Sequence, residues 1–209
     1  MLEVLRQEME YEVDPCLAAE LRQRLSLVLW EDPHNGGAGY LVRSVYFDPP
    51  QTRDGPDDRN KVRLRIYGFG DAPAKLELKQ RQGACLRKRS LTLSRRQAEL
   101  ILAGRVSCLE GCGEFGRQMA RLMALGAYHP SCLEEHDRIA FYCPANDTRI
   151  TIDSRLCANA GCFRLYDPTV QLTPVGSPGN TTLGVKYNRF LLNSVRDVVS
   201  LSLEKGRKM

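Results

Sequence analysis

Three consecutive runs decide the fold: R-N-K-V-R-L-R-I-Y-G (59–68), K-L-E-L-K-Q-R (75–81) and L-R-K-R-S (86–90). Each run alternates charged and apolar residues with period two, which is the pattern of a β-strand whose two faces differ. In the first run Arg63 and Arg65 share one face, and adjacent members of such a row lie about 6.6 Å apart. Three neighbouring strands of this kind predict a dense cationic surface.

The third run is expected to extend that surface. Arg87 and Arg89 point to one side of the strand while Lys88 points away, so we expect the two arginines to join the cationic face. Glu77, in the second run, is its one carboxylate. Because cations are not buried together without anions, this face is either fully solvated or built to hold a polyanion.

The positive charge of the chain is concentrated in this segment. The whole sequence has 30 basic and 25 acidic residues, a net charge of +5. Residues 59–96 contain 12 basic and two acidic residues, a net of +10, which leaves −5 for the remainder. A general nucleic-acid coat would more often spread its basic residues or place them in a tail. The distribution therefore favours a local anion site over a specific nucleic-acid partner.

Length and composition, with 43% hydrophobic residues, predict one sizeable domain or two small ones, and we expect a single domain that spans residues 1–209. No run of about 18 apolar residues occurs, so no membrane-spanning segment is predicted. The N-terminus lacks the basic and apolar regions of a signal peptide. We therefore expect a cytoplasmic protein whose eight cysteines are reduced thiols.

The whole pattern predicts about nine strands, of which the three cationic runs are three, and a few helices. Asp14-Pro15 and Ser94-x-x-Gln97 are helix starts, an N-cap followed by proline and a capping box respectively. Strands are expected at Val4–Val13, Tyr40–Phe47, Asp137–Tyr142, Thr148–Asp153, Phe163–Tyr166 and Thr182–Asn188. A meander of this kind predicts an α+β fold, mainly β, that is either an open curved sheet or a closed antiparallel barrel with helices packed outside. An open sheet would leave the charges in solvent, whereas a barrel would enclose them for a ligand.

Seven short motifs occur in an order that resembles the VTC domain, the polyphosphate polymerase branch of the triphosphate tunnel metalloenzymes. They are R-S-V-Y-F-D (43–48), V-R-L-R-I-Y-G (62–68), L-E-L-K (76–79), R-K-R (87–89), D-R-I-A-F (137–141), R-I-T-I-D (149–153) and L-G-V-K-Y (183–187). The resemblance implies a closed antiparallel tunnel of eight strands with helices outside. It also implies transfer of the γ-phosphate of ATP to a growing inorganic polyphosphate chain, assisted by divalent Mn or Mg.

The resemblance assigns roles to residues position by position. Arg63, Arg65 and Lys79 are the expected catalytic phosphate ligands, and arginine is the fork-shaped donor that suits phosphate. Further expected phosphate ligands are Arg6, Arg87, Arg89, Arg138, Arg149 and Lys186. The expected metal ligands are Glu8, Glu77 and Asp153.

Two positions depart from the family pattern. Glu10 replaces a lysine of the first strand, and Gly184 replaces a metal-binding glutamate of the last strand and leaves space there. Either Glu10 compensates for the missing carboxylate or turnover is weakened. Three functions therefore stay open: a polyphosphate polymerase, a polyphosphate- or nucleotide-binding module that has lost turnover, and a triphosphatase of the same fold.

Overall fold

The computed structural model describes residues 2–50, 60–70, 73–83, 85–177, 179 and 181–206, so Arg59 of the first cationic run lies outside the described residues. The strands are β1 (Leu2–Val13), β2 (Trp30–Glu31), β3 (Tyr40–Asp48), β4 (Asn60–Tyr67), β5 (Ala74–Gln82), β6 (Cys85–Leu93), β7 (His129–Cys143), β8 (Thr148–Asn159), β9 (Thr173–Pro174) and β10 (Thr181–Tyr187). The helices are α1 (Pro15–Leu25), α2 (Arg95–Leu102), α3 (Gly113–Leu125) and α4 (Asn193–Gly206).

The strand order confirms the predicted fold class. Eight strands follow one another in the order β7-β3-β4-β5-β6-β1-β10-β8, and β8 pairs with β7 again, which closes the antiparallel barrel. The short strands β2 and β9 add to this order beside β7 and β8. Closure leaves no unpaired edge among the eight strands, so all of them can pair along their length.

Two helix starts form as the sequence predicts. The Asp14 side chain accepts a hydrogen bond from the backbone N–H of Leu17 at 2.9 Å, and Pro15 occupies the first helical position of α1. At α2, the Ser94 side chain accepts from the Gln97 backbone while the Gln97 side chain accepts from the Ser94 backbone. Both arrangements satisfy N–H groups that a helix start otherwise leaves unpaired.

Contacts divide the chain into two compact units. The first unit comprises Met1–Val4, Val42–Glu135 and Ala158–Thr173. Its core lies on the apolar face of β4, β5 and β6, where Leu64 is the register partner of Leu76 and Leu76 that of Leu91. Helices α2 and α3 cover this face with Ile101, Phe115, Met119 and Met123.

The second unit comprises Leu5–Leu41, His136–Cys157 and Pro174–Met209. Its core is built from the apolar residues of β8 and β10, including Ile150, Leu183 and Val185. Helix α1 contributes Leu21 and Leu25 to the core, and α4 contributes Val195 and Val199. In each unit one sheet face is therefore covered by helices.

One predicted strand is wrong. Phe163–Tyr166 is irregular chain followed by a turn rather than a strand. Leu165 and Tyr166 are nevertheless buried in the core of the first unit. Their apolar character reflects packing of a connection against that core, and a short apolar run cannot be distinguished from a strand by its pattern alone.

None of the helices in the described part of the chain has the length and apolar composition that crossing a membrane requires. The eight cysteines are all among the described residues and carry free thiols.

We propose that the two units unfold together as one domain, because β1, β7 and β8 each contribute residues to both. Leu76→Ala in the first core and Leu183→Ala in the second should each cost about 2–5 kcal/mol, since both side chains are fully buried. Calorimetry and urea denaturation should show a single transition that either variant shifts as a whole. Two transitions, of which each variant moves only one, would contradict a single domain.

Candidate functional site

The polar face of the first unit brings together Tyr46, Arg63, Arg65, Glu77 and Lys88, here named the Glu77 cluster. The antiparallel register makes Arg63 of β4 the partner of both Tyr46 on β3 and Glu77 on β5. Directly opposed residues lie on the same face of a sheet. The alternation that buries Leu64 on the helix-covered face therefore directs Arg63 and Arg65 to the opposite one.

Glu77 is the anion of the cluster, and its side chain is almost fully buried. Its Oε2 accepts a hydrogen bond from Arg63 Nε at 2.6 Å, and its Oε1 forms an ion pair with Lys88 Nζ. Burial alone would raise the pKa of Glu77. The charges of Arg63, Arg65 and Lys88 outweigh burial and hold this pKa well below its usual range. Glu77 is therefore an anion at every physiological pH.

Arg63 is held at two points. Its Nε donates to Glu77, and its NH1 donates to the Tyr46 hydroxyl at 3.1 Å, while the guanidinium lies 5.8 Å from the centre of the Tyr46 ring. Its side chain is 21% exposed. Because a guanidinium has five N–H groups, three N–H groups of Arg63 remain without a hydrogen-bond partner among the described residues. This is a fixed cation with donors still available to a ligand.

Two further predicted ligands, Arg65 and Lys79, also lie on the polar face. Arg65 is 4% exposed and donates from Nε to the Ser44 hydroxyl at 3.1 Å. Lys79 is the register partner of Lys61 on β4 and of Lys88 on β6. The structure therefore brings Arg63, Arg65 and Lys79 to one face, as the alternation predicted.

Arg87 and Arg89 do not join this surface, and that expectation is wrong. The register pairs Arg89 with Leu78 of the apolar face, and Arg87 with Gln80. Arg89 donates to Gln80 and to Gln118 of α3, and its guanidinium lies 4.9 Å from the centre of the Phe115 ring.

Lys88, which was expected to point away, takes the place of these arginines in the cluster. A signal was present in the sequence: Leu91 and Leu93 alternate in phase with Arg87 and Arg89, and Thr92 with Lys88. The apolar residues at the end of the strand identify the helix-covered face, on which the arginines also lie.

In the second unit Arg138 is tied to Asp153. Arg138 Nε donates to Oδ1 at 2.6 Å and NH2 donates to Oδ2 at 2.5 Å, a bidentate pair. His136 lies beside the pair, with its Nε2 3.3 Å from Arg138 NH2. Burial would raise the pKa of Asp153, but the hydrogen bonds and charge of Arg138 lower it below the usual value. Asp153, predicted as a metal ligand, thus serves as the counter-ion of Arg138.

Arg149 and Arg6 also have carboxylate partners in this unit. Arg149 NH2 donates to Asp32 Oδ2 at 2.7 Å and to the Tyr40 hydroxyl at 3.1 Å. Arg6 NH1 donates to Asp147 at 3.2 Å. Asp32 and Asp147 follow no strand pattern, so sequence periodicity gave no reason to select them.

Two rows of directly paired residues cross the second unit from β1 through β10 to β8. Glu8 is the partner of Lys186, which is the partner of Arg149. In the next polar row, Glu10 faces Gly184. The space expected beside Gly184 is occupied, because a Cβ at this position would lie 2.7 Å from Thr151 Oγ1.

The predicted metal ligands do not form a metal site by themselves. Among the described residues, no group of three or more His, Cys, Asp or Glu side chains is placed to hold a metal ion. Glu77 and Asp153 are engaged in ion pairs with arginine and lysine. The set Glu8, Glu77 and Asp153 therefore does not fit a divalent cation held by protein ligands alone.

Sequence reasoning also missed Glu134 on β7. Burial raises its pKa, although a hydrogen bond from Tyr46 and the charges of Arg63 and Arg65 act in the opposite direction. The side chain is half-buried. Glu134 and Glu135 are consecutive, so the alternation of the sequence did not show which of the two faces the cationic residues.

Glu77→Gln should destabilise the fold because it leaves three clustered cations without their anion, at a cost of about 3–5 kcal/mol at pH 7. The folded pKa of Glu77 lies below the ordinary value of 4.5. Its stabilisation is therefore complete well above pH 4.5 and is lost as the pH falls towards the folded pKa. Urea denaturation should show the gap between wild type and variant narrowing by roughly 2 kcal/mol between pH 7 and pH 3. A gap independent of pH would contradict this account.

Gly184→Ala should destabilise the fold by about 1–3 kcal/mol, because the new methyl group displaces the Thr151 hydroxyl. In a Thr151→Ala background the obstacle is absent and the same substitution should cost much less. Thermal and chemical unfolding of the four proteins in this double-mutant cycle gives the coupling. Equal costs in both backgrounds would show that Thr151 is not the constraint.

Comparison with known proteins agrees with the observed fold. A model of the VTC domain matches residues 5–205. A candidate adenylate cyclase from Bacillus halodurans is 15% identical, with a TM-score of 0.57 over 100% of this chain and 93% of that one. The Mediator head module of Schizosaccharomyces pombe contains a chain that is 15% identical, with a TM-score of 0.51 over 97% of this chain and 93% of its own. These two likenesses show the fold alone, and no curated protein matches the sequence. Because the family model covers nearly the whole sequence, the chain belongs to the VTC domain family.

Proposed function

We propose that this protein binds the phosphates of ATP and inorganic polyphosphate on the Glu77 cluster and, in the cytoplasm, transfers the γ-phosphate of ATP to a growing polyphosphate chain. Membership of the VTC domain family supports the substrate class. The excess of basic over acidic residues on the polar face of β4, β5 and β6 supports a polyanionic ligand.

The observation that carries the proposal is the geometry of Arg63. Glu77 and Tyr46 anchor the guanidinium through two N–H groups, and three N–H groups stay without a partner among the described residues. A guanidinium held in one orientation binds phosphate oxygens with little further loss of side-chain entropy. Charge-assisted hydrogen bonds of this type are among the stronger ones in proteins.

The cluster supplies what phosphoryl transfer requires of a protein. A terminal polyphosphate oxygen forms a bond to the γ-phosphorus, while the bond from that phosphorus to the β–γ bridging oxygen breaks and ADP leaves with the electron pair. Such reactions depend on positioning and on stabilisation of negative charge. Arg63, Arg65, Lys79 and Lys88 would orient the phosphates and offset their charge. We infer from the family that a divalent Mn or Mg ion supplies part of this neutralisation.

Two alternatives remain within the same fold. A triphosphatase would use water as the acceptor and release free phosphate. A binding module would retain affinity without turnover, and the engagement of Glu77 and Asp153 in ion pairs favours this second candidate over the first.

Replacement of both Arg63 and Arg65 by Ala should weaken binding of inorganic tripolyphosphate about 100-fold or more, because each charge-assisted hydrogen bond contributes about 1.5–3 kcal/mol. The matched control replaces Arg95 and Arg96 at the start of α2, both exposed, by Ala. Calorimetric titrations at two salt concentrations measure both the affinity and its screening. Equal losses in the two double variants would indicate diffuse surface attraction and would exclude a defined site.

Turnover is measured separately. Incubation with ATP and Mn²⁺, followed by gel analysis and phosphate release, distinguishes the candidates by product. Long polyphosphate supports the polymerase, free phosphate supports the triphosphatase, and tight binding with neither product supports the binding module.

A further inference from the structure

The polar face of β4 differs at its two ends. Alternation places Lys61, Arg63, Arg65 and Tyr67 in one row along this face, with neighbours about 6.6 Å apart. The proposed function uses the two arginines in the middle of the row and neither of the residues at its ends. One end is an aromatic ring and the other is a lysine, so the row has a direction that an asymmetric ligand can match.

Tyr67 presents an accessible aromatic ring beside Arg65. The preceding residue, Ile66, is fully buried in the apolar core, whereas Tyr67 is 39% exposed. The ammonium group of Lys75 lies 5.4 Å from the centre of the Tyr67 ring, and Lys75 is the register partner of Arg65. This contact confirms that the ring lies on the polar face. An aromatic ring has two faces, so Tyr67 can contact Lys75 on one and a planar group of a ligand on the other.

Lysines are grouped at the opposite end of the row. Lys61 is the register partner of Lys79, and Lys79 is that of Lys88, which places three lysines side by side across β4, β5 and β6. Lys88 also forms an ion pair with Glu77. Like charges that directly oppose each other destabilise an antiparallel pair of strands. A polyanion that lies across the three lysines would offset this repulsion.

We propose that the base of the nucleoside triphosphate stacks on Tyr67, so that its phosphates lie along Arg65 and Arg63 and its γ-phosphate points towards Lys61. This inference rests on the proposed function, in which the two arginines contact the phosphates. A nucleobase is planar and attached through the ribose to one end of the phosphate chain, so it suits the aromatic end of the row. The polyphosphate acceptor carries only negative charge and suits the end that contains the lysines.

The direction of the nucleotide agrees with the geometry of phosphoryl transfer. The attacking and leaving oxygens lie roughly in line on opposite sides of the transferred phosphorus. With the base on Tyr67, the β–γ bridging oxygen leaves towards Arg65, and the acceptor oxygen attacks from the side of Lys61. The two substrates therefore approach from opposite ends of β4, and neither has to pass the other.

The test compares a ligand that has a base with one that has none. Calorimetric titrations of the full chain use the ATP analogue whose β–γ bridging oxygen is replaced by NH, and inorganic tripolyphosphate, in the same buffer. Tyr67→Leu should weaken binding of the analogue about 10-fold, the effect of one lost base-stacking contact, and should leave tripolyphosphate binding within about twofold of wild type. Tyr67→Phe retains the ring and should bind both ligands as wild type does.

A variant at the other end of the row tests the direction. Lys61→Gln should weaken binding of long-chain polyphosphate about fivefold, the upper range for one exposed charge pair, and should leave binding of the ATP analogue unchanged. A greater loss for the analogue than for polyphosphate would contradict the proposed direction.

The controls address neighbouring aromatic residues, folding and the proposed function. Phe69→Leu removes a ring that is 41% exposed and lies 4.7 Å from the guanidinium of Arg43, and it should leave both affinities unchanged. Thermal unfolding reports whether each variant is folded. Should Tyr67→Leu not fold, nuclear Overhauser contacts between the purine protons of the analogue and the Tyr67 ring of the wild-type protein decide the question. Equal losses for the two ligands in Tyr67→Leu, or no loss for the analogue, would overturn the proposal. Unchanged tripolyphosphate binding by Arg63→Ala would instead refute the proposed function itself.

Discussion

The polar face of the first unit depends on the carboxylate of Glu77. Without an anion, two arginines and a lysine could not lie together with so little solvent contact, because each would lose hydration and repel the others. Each oxygen of Glu77 receives one cation, Arg63 on one side and Lys88 on the other. The negative charge of Glu77 thus permits a cluster of three cations that keeps a positive excess. A protein surface with this imbalance is matched to a ligand that brings several negative charges.

The second unit balances its charges differently. Arg138 has Asp153, Arg149 has Asp32 and Arg6 has Asp147, one carboxylate for each arginine. A guanidinium in a bidentate pair is fixed in place, but much of its charge is already neutralised. The two units thus show two uses of arginine within one fold. In the first unit, Arg63 and Lys88 share the carboxylate of Glu77, and Arg63 keeps N–H donors for a ligand. In the second unit, each of the three arginines is held in position by an aspartate.

The sequence was sufficient for the eight barrel strands and for the faces of β4 and β5, where charged and apolar residues alternate without interruption, but it also predicted a strand at Phe163–Tyr166 that does not form. It was insufficient for β6, where charged residues lie on both faces and only the register with β5 separates Lys88 from Arg89. Partners far apart in the chain, such as Asp32 and Arg149, follow from the closure of the barrel rather than from any local pattern. Periodicity specifies which residues share a face of one strand, whereas the site requires knowing which strands adjoin.

The pairing of β1 with β10 also brings together the two positions that depart from the family pattern. Glu10, where the family has lysine, and Gly184, where it has glutamate, look independent because 174 positions of the sequence separate them. In the structure they are direct partners across the ladder of β1 and β10. Directly opposed positions of an antiparallel pair have Cβ atoms about 4.5–5.5 Å apart. The loss of a carboxylate on one strand and the gain of one on the other therefore fall within the same rung. The rung keeps one carboxylate but lacks the lysine, so its net charge is −1 rather than zero, while the glycine allows the Thr151 hydroxyl to lie beside the β10 backbone.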